Sequence, residues 1–197
     1  TRWGVCAVLV AVIVILISGS AEPGTTTTLP DELADSPALR MVGANSLRYR
    51  HDGNLSYRLV ADQIRHFDKD QVTRLQIAHL HLLDPEGKPP WDIRAGAGEI
   101  SQRSRADQIV EEVVFLHDEV NMVQENPDGS FIRLQTPSMF YYPDRQYAET
   151  SQNVMIDTDV GRTKASGLQG ELQRGLIRLF SSERERVHTI VLRPQFR

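Results

Sequence analysis

The stretch "NLSYRLVA", residues 54–61, alternates apolar and polar side chains with a period of two. Leu55, Tyr57, Leu59 and Ala61 all fall on the same side of this alternation. Because successive side chains of an extended chain point to opposite faces, the stretch predicts a β-strand with one buried face.

The same pattern recurs along the chain and predicts an all-β domain over residues 40–197. Comparable runs are "WDIRAGA" (91–97), "FIRLQTPSMFYY" (131–142), "NVMIDT" (153–158), "GLIRLFSS" (175–182) and "RVHTIVL" (186–192). Between the runs stand turn signals in which Gly permits positive φ or Pro and Asp start a bend: Asp52-Gly53, 84–87, 126–129, Pro143-Asp144, 159–161 and Arg174-Gly175. One segment, "RADQIVEEVVFL" (105–116), has helical propensity, but its Val-rich second half in this context favours a strand.

Composition limits the partners of this domain. The 197 residues carry a net charge of −4 and no clustered run of Lys and Arg, which argues against nucleic acid as a partner. The only cysteine is Cys6, so the predicted domain forms no internal disulfide and is stabilised by its core alone. The length left after residue 40 suits one domain.

The N-terminus holds an uncharged apolar run, Trp3–Ile17, extended by small residues to Ala21. As a helix, its roughly 19 residues would span about 28 Å, close to the thickness of a bilayer's hydrocarbon core. A cleaved secretion signal is the alternative, with a small-residue cleavage site within 18–21. We predict a membrane anchor over 1–21, followed by an extended Thr- and Pro-rich spacer over 22–39.

Residues that could support catalysis or metal binding are sparse. His79 and His81 would share one strand face, but two histidines are too few for a metal site without a third ligand nearby. The adjacent acids Glu111-Glu112 and Asp118-Glu119 would point to opposite faces. The sequence contains no nucleophile elbow and no phosphate-binding loop. We therefore expect neither an enzyme nor a cofactor, and a hydrolase is the least supported reading.

The apolar face of the alternating strands must be shielded from water, and two architectures would do this. The face could be the ordinary core of a β-sandwich, or two sheets could splay apart so that the same residues line an apolar groove. Periodicity does not separate these readings, because both need inward apolar side chains.

Several longer segments resemble the LptC family, in a consistent order along the chain. They are "DGNLSYRLVADQIRHF" (52–67), "PPWDIRAGAGEI" (89–100), "LQTPSMFYYP" (134–143), "YAETSQNVMI" (147–156) and "TKASGLQGELQRGLIRL" (163–179). This family is the single-pass inner-membrane component of lipopolysaccharide export in Gram-negative bacteria. The similarity extends from the apolar run to about Val187, although Arg2 alone stands where the family has several basic residues before its helix.

The resemblance implies an open, V-shaped β-jellyroll in the periplasm, preceded by one uncleaved transmembrane helix with a cytoplasmic N-terminus. Lipopolysaccharide would reach its groove from the inner-membrane ABC transporter of LptB, LptF and LptG and pass on to periplasmic LptA. The N-terminal edge, near 45–50, would meet the jellyroll of LptF and LptG, whose membrane domains would contact the helix. A membrane-tethered scaffold that aligns these partners without carrying lipid is the alternative.

Specific residues follow from combining this resemblance with the alternation. The predicted groove positions are Leu55, Tyr57, Leu59, Leu75, Ile77, Trp91, Ile93, Ile132, Leu134, Val154, Ile156, Ile177 and Leu179. The edge predicted to receive LptA by β-augmentation is Val187, His188, Thr189, Ile190 and Val191.

Overall fold

The computed structural model describes residues 36–50, 53–84, 87–104, 110–183 and 186–192. The predicted anchor (1–21) and most of the predicted spacer (22–39) lie outside these residues. In the described part, no helix has the length and apolar character needed to cross a bilayer.

The predicted all-β fold is confirmed. The strands are β1 (Leu39–Tyr49), β2 (Leu55–Phe67), β3 (Val72–Leu82), β4 (Trp91–Ser104), β5 (Val110–Glu125), β6 (Phe131–Tyr142), β7 (Tyr147–Thr150), β8 (Val154–Thr158), β9 (Gly161–Ala165), β10 (Gly167–Glu171), β11 (Leu176–Phe180) and β12 (His188–Val191). A single 3₁₀ turn, Pro143–Arg145, joins β6 to β7. Residues 110–116 of the ambiguous segment belong to β5, so the strand prediction is confirmed for them.

All strands pair antiparallel in one sheet, and the pairing simplifies to a meander of nine long strands. The sheet runs β1-β2-β3-β4-β5-β6-β7-β10-β11, while β8 pairs with β6 and β9, and β12 pairs with β9. Only residues 151–153 separate β7 from β8, and only Ser166 separates β9 from β10. Because β7 pairs with β10 and β8 pairs with β9, β7 and β8 together form one long strand with a single interruption, and β9 and β10 together form the next. By the same reasoning, β11 and β12 are the two parts of the last strand.

A row of irregular positions crosses the sheet at one level, and we call this row the crease. Its members are Gly43, Asp62, Ile77, Gly96, Asp118, Glu119 and Pro137, at which the strand ladders skip a pair or shift register. Four of them have positive φ: Gly43 (62°), Ile77 (50°), Asp118 (62°) and Glu119 (63°). Such irregularities bend a strand and re-aim its side chains. The crease therefore divides the sheet into two parts.

We call these parts half A and half B. Half A comprises 44–49, 55–61, 78–82, 91–95, 120–125 and 131–136 with β8, β9 and β12. Half B comprises 39–42, 63–67, 72–76, 97–104, 110–117 and 138–142 with β7, β10 and β11.

The buried face changes parity at the crease. In β3, Leu82, Leu80 and Ala78 are buried in half A, and the next buried side chain, in half B, is Leu75. Ile77 stands between them at positive φ with 57% of its surface exposed. The prediction that Ile77 points inward with Leu75 is therefore wrong: the bend shifts the alternation by one residue, and Ala78 takes the inward place.

Gly96 shows how tightly the strands pack at the crease. A Cβ atom placed on this glycine would lie 2.8 Å from Cβ and 3.0 Å from the carbonyl oxygen of Asp118. Real side chains do not approach so closely, so the bulge of β5 closes over β4 only because position 96 has no side chain.

The sheet bends so that the inner faces of half A and half B pack against each other. Strands β2 and β6 are four positions apart, which would be about 19 Å in a flat sheet. Yet the rings of Tyr57 in half A and Tyr141 in half B lie edge to face with centroids 6.5 Å apart. The core therefore forms between the halves rather than against a second sheet.

Candidate functional site

The predicted groove residues lie mainly in this interior. The structure buries eight of them in one apolar cluster: Tyr57, Leu59, Leu75, Trp91, Ile93, Leu134, Val154 and Ile156, none more than 7% exposed. Their closeness follows from the pairing, since they occupy the inward positions of five different strands.

Of the other five predicted positions, Ile77 is exposed and four are half-buried. Ile132, Ile177 and Leu179 are half-buried and pack against the cluster. Leu55, at the start of β2, is also half-buried. Ile177 and Leu179 belong to β11, which is the last strand of its branch. The predicted positions therefore range from fully buried residues in the cluster to half-buried residues on the end strand β11.

Sequence reasoning missed a second set of inward residues, which lie on both sides of the crease in β2, β3, β5 and β6, and in β7 and β10. These are Ile64, Leu80, Val114, Leu116, Val120, Met122, Met139, Tyr141, Ala148 and Leu168. The alternation of β5 carries part of this signal, but Asp118 and Glu119 interrupt it. With this set included, the inner face is a continuous apolar surface across the sheet.

Tyr57 brings a polar hydroxyl group into the apolar interior. Tyr57 donates a hydrogen bond from its hydroxyl to Oε1 of Glu112, 2.8 Å away, and Nη2 of Arg48 lies 3.3 Å from Oε2 of the same carboxylate. Burial, with the nearby charge of Glu112, raises the pKa of the Tyr57 hydroxyl far above its ordinary value. The tyrosine therefore stays protonated and donates its hydrogen bond throughout the physiological pH range.

A small cavity between the halves contains two buried polar atoms. Trp91 Nε1 and Gln146 Oε1 make no hydrogen bond to any described residue, and both side chains line this cavity with Leu82, Tyr141 and Leu172. The residues that line the cavity thus include an indole donor and an amide acceptor that have no described partner.

Within the described residues, the strands at the ends of the sheet are paired on one side only. Among the described strands, β1 pairs only with β2, β11 only with β10, and β12 only with β9. The predicted partner edge falls on β12, whose four residues are all exposed, with Val187 just before it.

Hydrogen bonding shows which residues of β12 face away from the sheet. The amide of Leu192 donates to the carbonyl of Val160 at 2.9 Å. Because alternate residues of a strand face opposite neighbours, Ile190 and His188 also face β9, whereas Thr189 and Val191 present their N–H and C=O groups to the free edge. Thr189 and Thr163 touch instead through their hydroxyls, 3.0 Å apart.

The two histidines considered as metal ligands form a different arrangement. Nε2 of His79 and Nδ1 of His81 each lie 2.9 Å from Oδ1 of Asp92. Partial burial works to raise the pKa of Asp92, but the hydrogen bonds with His81 and His79 outweigh it and hold that pKa below its ordinary value. No group of three potential ligands capable of holding a metal occurs in the described part of the chain.

Comparison with known proteins agrees with this geometry. The family model described as "Lipopolysaccharide-assembly, LptC-related" matches residues 5–187. The lipopolysaccharide export system protein LptC of Escherichia coli K12 is 23% identical over 135 residues, which is 68% of this chain and 66% of that protein, and the LptC protein of Shigella flexneri matches equally. The alignment thus spans just under two thirds of these relatives.

A solved structure shares the fold. The crystal structure of LptH, the LptA-homologous periplasmic component of the lipopolysaccharide transport device of Pseudomonas aeruginosa, superposes with a TM-score of 0.54. The match covers 70% of this chain and 95% of that one at 13% identity. At this identity the likeness concerns the fold alone.

Proposed function

The chain belongs to the LptC-related family of lipopolysaccharide-assembly proteins, and from this premise we propose that it conveys lipopolysaccharide between the inner membrane and a periplasmic partner. The apolar inner face of the folded sheet receives the acyl chains, and the sugar head stays in water. The lipid arrives from the transporter of LptB, LptF and LptG and leaves toward LptA.

The observation that carries this proposal is the continuous apolar inner face of a sheet whose end strands each have one described neighbour. Each CH₂ group that an acyl chain transfers from water to such a surface stabilises it by about 0.8 kcal/mol. A lipid with several acyl chains therefore needs an unbroken apolar path through an aqueous compartment. Modules joined at their sheet edges provide that path.

The edges have separate partners in this account. LptA adds its N-terminal strand to the free edge of β12, and the transporter's jellyroll pairs with β1 near residues 45–50. Both edges expose apolar side chains, among them Leu47 and Tyr49 on β1 and Ile190 on β12. Unprotected edges of this kind favour association with another strand.

We place the chain in the inner membrane as a single-pass protein. Residues 1–21 form its anchor, and the V-shaped jellyroll that follows lies in the periplasm. The apolar run at 3–17 supports this placement. Conveying lipid needs no covalent chemistry, so we assign the chain no enzymatic activity.

Co-purification separates this function from that of a scaffold which aligns the same partners without holding lipid. The full chain is extracted from cells in mild detergent, and bound lipopolysaccharide is quantified against a control in which residues 1–35 precede an unrelated β domain. We expect lipopolysaccharide with the full chain well above the control. Transporter subunits and LptA at full yield, with lipid only at the control level, would favour the scaffold.

A further inference from the structure

We propose that Arg48, Tyr57 and Glu112 form a latch that holds the two halves of the folded sheet together and must open before an acyl chain enters between them. The gating role rests on the proposed function, whereas the mechanical role does not.

The three residues join parts of the sheet that are not neighbours. Arg48 and Tyr57 are cross-strand partners on β1 and β2 in half A. Glu112 lies in half B on β5, three strands from β2. In a flat sheet the strands β2 and β5 would by themselves be about 14 Å apart, before any displacement along the strands is added. The 2.8 Å hydrogen bond and the 3.3 Å ion pair therefore bridge the interior.

The chemistry of the contact suits an opening device better than a permanent clamp. The Glu112 side chain is 13% exposed and that of Arg48 is 48% exposed. A buried ion pair contributes little net stability, and well-packed apolar residues often stabilise such a position more. However, separating an apolar contact exposes its whole area to water, whereas a separated ion pair regains hydration. An ionic contact at this position thus lowers the free-energy cost of parting the halves.

The surroundings of the latch allow movement on one side. Arg48 belongs to β1, which the described sheet holds only through β2. The two halves are joined through the crease, where Ile77, Asp118 and Glu119 adopt positive φ without being glycine. Such backbone is strained for ordinary residues and concentrates at sites with a function. We assign the crease the role of the hinge about which the halves part.

Distance measurement on the full chain tests the latch without lipid. Spin labels are placed at Val60→Cys in half A and Arg178→Cys in half B, with Cys6→Ser, and pulsed electron resonance gives the distance distribution. Both labelled residues are exposed on the outward face. We expect Glu112→Ala and Tyr57→Phe each to add a longer-distance population that the parent chain lacks.

The matched control removes an ion pair that does not bridge the interior. Arg74 and Glu99 are cross-strand partners on β3 and β4, both in half B, with Nε and Oε1 3.2 Å apart. Glu99→Ala should leave the distance distribution unchanged. Tyr57→Phe keeps the ring packed against Tyr141 and removes only the hydroxyl, so it serves if Glu112→Ala fails to fold. An unchanged distribution in a variant whose circular dichroism matches the parent would overturn the latch.

Adding lipopolysaccharide to the parent chain separates the latch from the proposed function. If both are right, the lipid shifts the parent toward the longer distance that the latch variants show alone. If the latch variants show the longer distance but lipopolysaccharide changes the distance distribution of neither the variants nor the parent, the latch is supported and the lipid-conveying function is contradicted.

Discussion

Ile93→Ala will destabilise the folded sheet by about 2–5 kcal/mol, the usual range when a fully buried Ile loses its outer carbons and leaves a cavity. Ile93 has no exposed surface and belongs to the apolar cluster between the halves. Denaturant unfolding of the full chain in detergent, followed by circular dichroism, measures this change.

Ile77→Ala is the matched control, because it removes the same atoms from an isoleucine that is 57% exposed. It should destabilise the sheet by no more than about 0.5 kcal/mol, because little buried apolar surface is lost and alanine tolerates a positive φ better than a β-branched residue. Equal destabilisation by the two variants would contradict the crease, since Ile77 would then be packed inward as the simple alternation predicts.

Thr189→Pro will weaken the proposed binding of LptA by about tenfold or more while β12 stays on the sheet. A tenfold loss of affinity corresponds to about 1.4 kcal/mol of binding free energy. The loss of one neutral hydrogen bond, together with a steric clash between the proline ring and the added strand, is large enough to account for it. Proline removes the amide of residue 189, which faces the free edge, whereas His188 and Ile190 keep the bonds toward β9. Affinity is measured by titrating purified LptA onto the immobilised full chain.

Two variants frame this result. Thr189→Ala loses the contact with the Thr163 hydroxyl but keeps the backbone donor, so it should bind LptA like the parent. Ile190→Pro removes an amide directed to β9 and should detach β12 itself. Binding by a folded Thr189→Pro variant at the parent's affinity would show that LptA does not add a strand at this edge.

The alternation in the sequence predicts the inner face well inside each half and poorly at the crease. Tyr57, Leu59 and Ala61 follow one parity because residues 57–61 pair with β1 and β3 without interruption, whereas the register with β1 shifts between Leu55 and Tyr57. The parity then changes at Asp62, whose sequence context has nothing unusual. Bulges of this kind arise from pairing with neighbouring strands, which a single segment does not reveal.

Glycine identifies part of the crease, but for different reasons at different positions. Gly43 adopts a positive φ of 62°, and Gly96 has no room for a side chain. The latch was not predictable at all, because Arg48 and Glu112 are 64 positions apart and meet only when the sheet folds on itself. From their adjacency in a strand, the sequence predicts only that Glu111 and Glu112 point to opposite faces of the sheet.

Photo-crosslinking in living cells tests the central claim, that acyl chains of lipopolysaccharide lie against the inner face, most directly. A photoreactive amino acid is placed at inward Leu59, Leu75 and Leu179, and at outward Arg58 and Arg178 on the same strands as two of them. We expect lipopolysaccharide adducts at the three inward positions and none above background at the two arginines. Adducts confined to Arg58 and Arg178, with the inward positions unreacted, would contradict it.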